Sequence, residues 1–166
     1  MFKSAMSVDK RHEPKEVERS KTILLIDDDL DDVSLIEEAM LNAGIALPVI
    51  HVQDGEQAMR YLEAKPPYDD RTRFPLPTLV LLDLKMPKRS GFDVLSWIKT
   101  QPQLEDVAVI VLTGSVREED RRRAQELGAW DFQVKPVNFS DLVQIARGLE
   151  DRWISGGRPL RPAPQD

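Results

Sequence analysis

Not one cysteine occurs in the 166 residues, and only two histidines do, His12 and His51. The first absence excludes a disulfide framework, a thiolate metal site and a cysteine nucleophile. The second leaves too little imidazole to build a histidine metal site. No apolar run approaches the ~20 residues that a spanning helix requires, and residues 1–20 are rich in Lys, Arg and Glu where a secretory signal would be apolar. A cytoplasmic protein with no membrane partner is therefore expected. An excess of positive charge is missing too: 23 Lys and Arg stand against 29 Asp and Glu, for a net charge of -6. That balance gives no electrostatic footprint for nucleic acid, and no nucleic-acid partner is expected.

What the chain does have is 41% hydrophobic and 31% charged residues, the composition of a globular domain, at a length that suits one core and not two. The apolar run Thr22 to Ile26 reads as a buried parallel strand that stops at acids. Val33, Ile36, Met40 and Ala43 then recur at helical spacing, which predicts a helix over 30–43 that Gly44 stops.

The alternation continues along the chain. Strands are predicted at 49–52, 79–82, 107–112 and 130–134. Helices are predicted at 56–64, capped by Asp54, at 92–100, at 118–127, and from a cap at Ser140 through Leu142, Ile145, Leu149 and Trp153. A loop with four prolines lies between Pro66 and Pro77, and Gly156-Gly157 opens a Pro-rich tail. The expected organisation is a polar, flexible leader over 1–20, one domain over 21–154, and a flexible tail over 155–166. Its expected fold is α/β, a doubly wound five-stranded parallel sheet with helices on both faces.

In such sheets ligands bind beyond the carboxyl ends of the strands. There the sequence places Asp27 and Asp28 after strand one, Asp83 after strand three, Thr113 after strand four and Lys135 after strand five. Three carboxylates gathered in one cleft repel one another unless a cation neutralises them. Oxygen-only ligands favour Mg²⁺, with Mn²⁺ possible. A carboxylate such as Asp83, emerging from a buried strand beside a metal, can attack phosphorus and form an aspartyl phosphate. The cation, the Lys135 ammonium and the Thr113 hydroxyl would offset the charge on the transferred oxygens.

Taken together, Asp27-Asp28, Leu82-Asp83 with Pro87 and Gly91 downstream, Leu112-Thr113-Gly114 and Lys135-Pro136 resemble the response-regulator receiver family over residues 21–154. The resemblance implies a flavodoxin-like fold with Asp83 as phosphoacceptor. It implies Mg²⁺ held by Asp27, Asp28, Asp83 and the backbone carbonyl of Lys85, with Thr113 as switch hydroxyl and Lys135 as phosphate-binding lysine. Phe132 takes the place of the switch aromatic, where Tyr is common, so one hydroxyl is lost. Gly114 leaves the phosphate position open. The loop over 65–77 and the ending Leu142 to Trp153 are similar to those of single-domain response regulators that serve phytochrome-type histidine kinases. A sensor histidine kinase, in that case a bacterial phytochrome, is the implied phosphodonor. Also implied are a homodimer through the face of helix four, strand five and helix five, and a switch in place of an enzyme.

Two rival readings stay open at this point. One is a haloacid-dehalogenase-type phosphatase with Asp27 as nucleophile, since Asp27 and Asp29 supply two acids one residue apart. The other is an adaptor that binds partners irrespective of phosphorylation. A calcium loop is excluded, because Asp32 stands where that loop needs Gly. Arg121-Arg122-Arg123 reads as a solvated helix face, Trp153 and Ile154 lie where the last helix leaves the core, with Trp153 either capping that core or offering an apolar end to a partner helix, and His51 is given no role.

Overall fold

A computed structural model describes residues 21–155; the predicted leader and all but the first residue of the predicted tail lie outside the described residues. The strands are β1 (Ile23–Ile26), β2 (Val49–Val52), β3 (Leu79–Leu82), β4 (Ala108–Thr113) and β5 (Asp131–Val134). They alternate with α1 (Leu30–Asn42), α2 (Gly55–Leu62), α3 (Gly91–Lys99), α4 (Glu118–Glu126) and α5 (Phe139–Leu149). All strand pairings are parallel, in the order β2-β1-β3-β4-β5. The chain therefore reverses its direction of winding at β1, and the crevice this creates opens over the ends of β1 and β3.

Side chains alternate across a strand, so the sheet divides the core in two. Leu24, Ile26, Val80, Leu82, Val109 and Val111 pack beneath α2, α3 and α4. Ile23, Leu25, Leu79, Leu81, Ile110 and Leu112 face α1 and α5. Burial on both sides explains why the central strands read as unbroken apolar runs.

Helix starts follow cap chemistry. Asp29 accepts the Asp31 and Asp32 amides, Asp54 accepts the Gln57 amide, and Ser90 and Asp93 form a reciprocal capping box. At α5 the prediction needs correction. Asn138, not Ser140, is the cap, because its side-chain oxygen accepts the Asp141 amide at 2.9 Å, and the Ser140 hydroxyl donates to that same oxygen. The ends of α1 to α4 differ from the predicted bounds by at most two residues, as at Ala43, which caps α1 instead of extending it, while α5 stops at Leu149 short of Trp153.

Trp153 caps the core, one of the two readings open for it. A π-helical turn over Glu150–Ile154 brings its ring onto Trp130, with centroids 5.6 Å apart, and leaves it 5% exposed. The C-terminal end of the described chain thus covers the core and does not protrude from it.

The proline-rich loop after α2 is a built element. Tyr61, Tyr68 and Phe74 form a three-ring cluster, and the Tyr61 hydroxyl donates to the Pro75 carbonyl at 2.8 Å. Arg71 donates to the carbonyls of Tyr61 and Leu62 at the end of α2 and of Phe74 in the loop, tying the loop to the helix end. Among the described residues no helix is long and apolar enough to cross a membrane.

Candidate metal and phosphoryl site

Each site residue sits where a strand stops. The Asp27 amide donates to the Val52 carbonyl and the Asp83 amide to the Ile26 carbonyl, so both acids are fixed by the last rungs of the sheet. Asp27 is 1% exposed and Asp83 7%, whereas Asp28 is open to solvent. Carboxylate oxygens of Asp27, Asp28 and Asp83 lie within 4.8 Å of one another. From the far side of the crevice the Lys135 amide donates to the Thr113 carbonyl at 2.7 Å, which ties the end of β5 to that of β4. Its ammonium then reaches Asp27 Oδ2 at 2.7 Å, Asp32 Oδ2 at 2.8 Å and Asp83 Oδ2 at 3.2 Å. Thr113 is fully buried beside this group, and its hydroxyl oxygen accepts the Ser115 amide at 3.4 Å.

Burial pushes the Asp27 carboxyl above its ordinary value, against hydrogen bonds from Lys135 and the Asp29 amide that act to lower it. Burial acts to lower the Lys135 ammonium. Hydrogen bonds to Asp27 and Asp32 and the nearby charge of Asp83 outweigh it, and its pKa is raised. Lys135 is therefore held charged, but three carboxylates contact its single ammonium and a fourth, Asp28, stands beside Asp27 and Asp83. That surplus, on oxygen donors alone, with Asp28 facing solvent, fits a hard divalent cation. The side chain of Lys85 is exposed and its amide donates to Asp83 Oδ1 at 3.4 Å, which places its backbone at the rim where the sequence reading put a carbonyl ligand.

The loop carrying Asp83 has no room on one side. A Cβ at Gly91 would lie 2.3 Å from the Asp83 carbonyl oxygen, and one at Gly55 would lie 2.5 Å from the Arg89 carbonyl oxygen. Gly114, on the opposite rim, has nothing within 4 Å of where a Cβ would stand.

Residues 23–147 match the family model of the response regulator receiver domain. The chain belongs to the response regulator receiver family. Response regulator Rcp1 of Synechocystis is 36% identical over 134 residues, spanning 81% of this chain and 89% of Rcp1. The Mn²⁺-bound structure of Rcp1 superposes with a TM-score of 0.74 at 35% identity, covering 86% of this chain and 99% of that one. The phosphorylated cyanobacterial phytochrome response regulator RcpA gives 0.75 at 38% identity, covering 81% of this chain and 94% of that one. RPA3017, from red light signaling of R. palustris, gives 0.77 at 30% identity, with 81% and 94% covered.

In this receiver the predicted residues Asp27, Asp28, Asp83, Thr113 and Lys135 do converge, and Phe132 lies one layer below. Phe132 is buried, and the Arg121 guanidinium stacks on its ring at 4.8 Å. Arg123 stacks on Phe92 at 4.1 Å. Arg121 and Arg123 are thus engaged with aromatic rings, while Arg122 and Arg123 are exposed as the solvated-face reading expects.

Asp29, the second acid of the phosphatase reading, is occupied as the α1 cap, which together with the family match disfavours that reading. Two neighbours of the site were not anticipated. Asp32 contacts Lys135, and His51 Nε2 donates to the Asp27 carbonyl at 2.7 Å.

Proposed function

We propose that this receiver accepts a phosphoryl group on Asp83 from a phosphohistidine of a sensor histidine kinase and answers by altering its α4-β5-α5 face. The observation that carries the reading is the meeting of Asp83 Oδ2 with the Lys135 ammonium at 3.2 Å beside Asp27 and Asp28. One Asp83 oxygen attacks phosphorus as the bond to the donor's imidazole nitrogen breaks, and the electron pair leaves on that nitrogen. Asp27, Asp28, Asp83 and the Lys85 carbonyl would hold Mg²⁺, or the Mn²⁺ that the Rcp1 structure contains, which when bound would supply positive charge to the transferred oxygens. Lys135 offsets a further share of that charge, and the Thr113 hydroxyl turns to donate to it. The space that Thr113 gives up, and the buried ring of Phe132, couple the site to α4 and β5. This is a two-state switch biased by a local change of charge.

A phytochrome-type kinase in the cytoplasm is the partner we favour. The description of RcpA as a phytochrome response regulator and that of RPA3017 in red light signaling support it. Incubated with Mg²⁺ and acetyl phosphate, the protein is expected to gain one phosphoryl group that borohydride trapping maps to Asp83, and none in chelator. Label on Asp27 with turnover of phosphate esters would favour the phosphatase instead.

A homodimer through α4, β5 and α5 belongs to the same reading. It rests on family membership alone now that Trp153 is seen to pack inward. Light scattering is expected to give twice the monomer mass for the phosphorylated protein, and a monomer mass at high concentration in both states would refute it.

A further inference from the structure

We infer that Asp32 is a positioning residue for Lys135, the anchor that keeps the ammonium aimed at the phosphoryl position while the other acids are drawn into chemistry. The inference rests on the reading of Asp83 as acceptor.

A lysine ammonium has three N–H donors, and here each has one carboxylate: Asp27, Asp32 and Asp83. Two of those partners are not constant. Asp83 becomes esterified, and Asp27 belongs to the three-acid group that suits a cation. Asp32 lies outside that group and on a different element, the first turn of α1. Its own backbone is fixed, since its amide donates to the capping carboxylate of Asp29 at 3.2 Å. Its side chain is about one-third exposed, against 14% for Lys135, so it approaches the ammonium from the solvent side, opposite the buried Asp27.

Lys135 needs such an anchor at its head. Its backbone is tied by the bond to Thr113, and between that point and the ammonium a four-carbon stem carries several rotors that contacts at the head must fix. A carboxylate at 2.8 Å on a rigid helix start removes that freedom before the phosphodonor arrives. Asp32 also adds negative charge near an anionic substrate, an effect of the opposite sign, and the two are separable. Asn keeps an acceptor oxygen and loses the charge, whereas Ala loses both.

The experiment measures phosphorylation by acetyl phosphate as a function of Mg²⁺ in wild type, Asp32→Ala and Asp32→Asn. Asp32→Ala is expected to lower the maximal rate constant about tenfold, the loss of one charge-assisted contact, with the Mg²⁺ midpoint unmoved, and Asp32→Asn to restore most of the rate. An Asp32→Ala rate equal to or above wild type, or a weakened Mg²⁺ midpoint marking Asp32 as a metal ligand, would overturn the inference.

A second measurement needs no turnover. The Lys135 ammonium should give a slowly exchanging signal in ¹⁵N-edited NMR of wild type and Asp32→Asn, and no such signal in Asp32→Ala. Persistence of the signal in Asp32→Ala counts against the anchor. If wild type takes no label, the acceptor reading fails and the NMR result alone decides the anchor. If wild type and Asp32→Ala label equally, the inference alone fails.

Discussion

Replacing Asp83 by Asn should reduce phosphoryl uptake to less than about 1% of wild type, because a neutral amide lacks the nucleophilic oxygen that a carboxylate offers to phosphorus. The protein should nevertheless remain folded. The substituted side chain would keep an oxygen to accept the Lys85 amide, which reaches Asp83 Oδ1 at 3.4 Å in the native chain. It would also relieve a site in which three carboxylates share one ammonium with a fourth, Asp28, close by. Thermal unfolding in chelator should therefore occur at or above the wild-type temperature. Intact mass after incubation with Mg²⁺ and acetyl phosphate decides the matter: equal modification of wild type and Asp83→Asn would sink the acceptor assignment. Partner binding that is indifferent to both the substitution and the phosphodonor would favour the constitutive adaptor.

Replacing Lys135 by Ala should cost about 3 kcal/mol of folding stability in chelator, the order expected when one partner of a buried ion pair is removed and the other left behind. The reasoning starts from burial. Asp27 is 1% exposed, and the carboxylates of Asp27 and Asp83 lose their shared cation together. A divalent cation that binds the native acids and not the unfolded chain should return much of the loss, as mass action requires.

The sign of the pH dependence follows from Asp27. Burial already raises its folded-state pKa, and a raised carboxyl contributes stability that is present when it is protonated and fades as pH rises through the folded value. The Lys135→Ala variant should accordingly lose stability as pH rises above the ordinary carboxyl range. Urea unfolding of the variant with and without Mg²⁺ checks all of this, and a midpoint equal to wild type in chelator would show that the ammonium does not hold the acids together.

How much of this was legible beforehand depended on what each feature rests on. The strand ends could be read directly, because a buried parallel strand is an apolar run and the residue that breaks it is the residue at the site. Asp27, Asp83 and Thr113 are of that kind, whereas Lys135 follows an edge strand, Asp131–Val134, that is only half-buried. Asp32 was seen only as one acid in a run, since its role depends on the rotational phase of α1 over the sheet. Helix side chains lean toward the N-terminus, so an acid in the first turn after a strand leans back over that strand's end; this was the available signal. His51 offered none, because its bond to the Asp27 carbonyl exists only once β2 is in register with β1.

Asn138 and Ser140 are both good caps, and only the backbone geometry separates them. Arg71 reads as one more charge in a polar loop until the loop has folded back onto the end of α2. Trp153 turns inward through a π-helical turn that helical periodicity does not announce.

The glycine contacts described above make the crevice a vice with one fixed jaw. On the β3 side the backbone around Asp83 is pressed against Gly91, and the neighbouring Arg89 against Gly55, with no clearance even for a methyl group. On the β4 side Gly114 stands in open space and Val116 beyond it is 81% exposed. Under the proposed function, force generated at Asp83 would find no compliance in its own loop and would be delivered across the gap to the β4-α4 corner. Amide hydrogen exchange should show the same lopsidedness, slow over 84–91 in both phosphorylation states and phosphorylation-dependent over 114–117. Equal change on both sides would mean that the jaws move together.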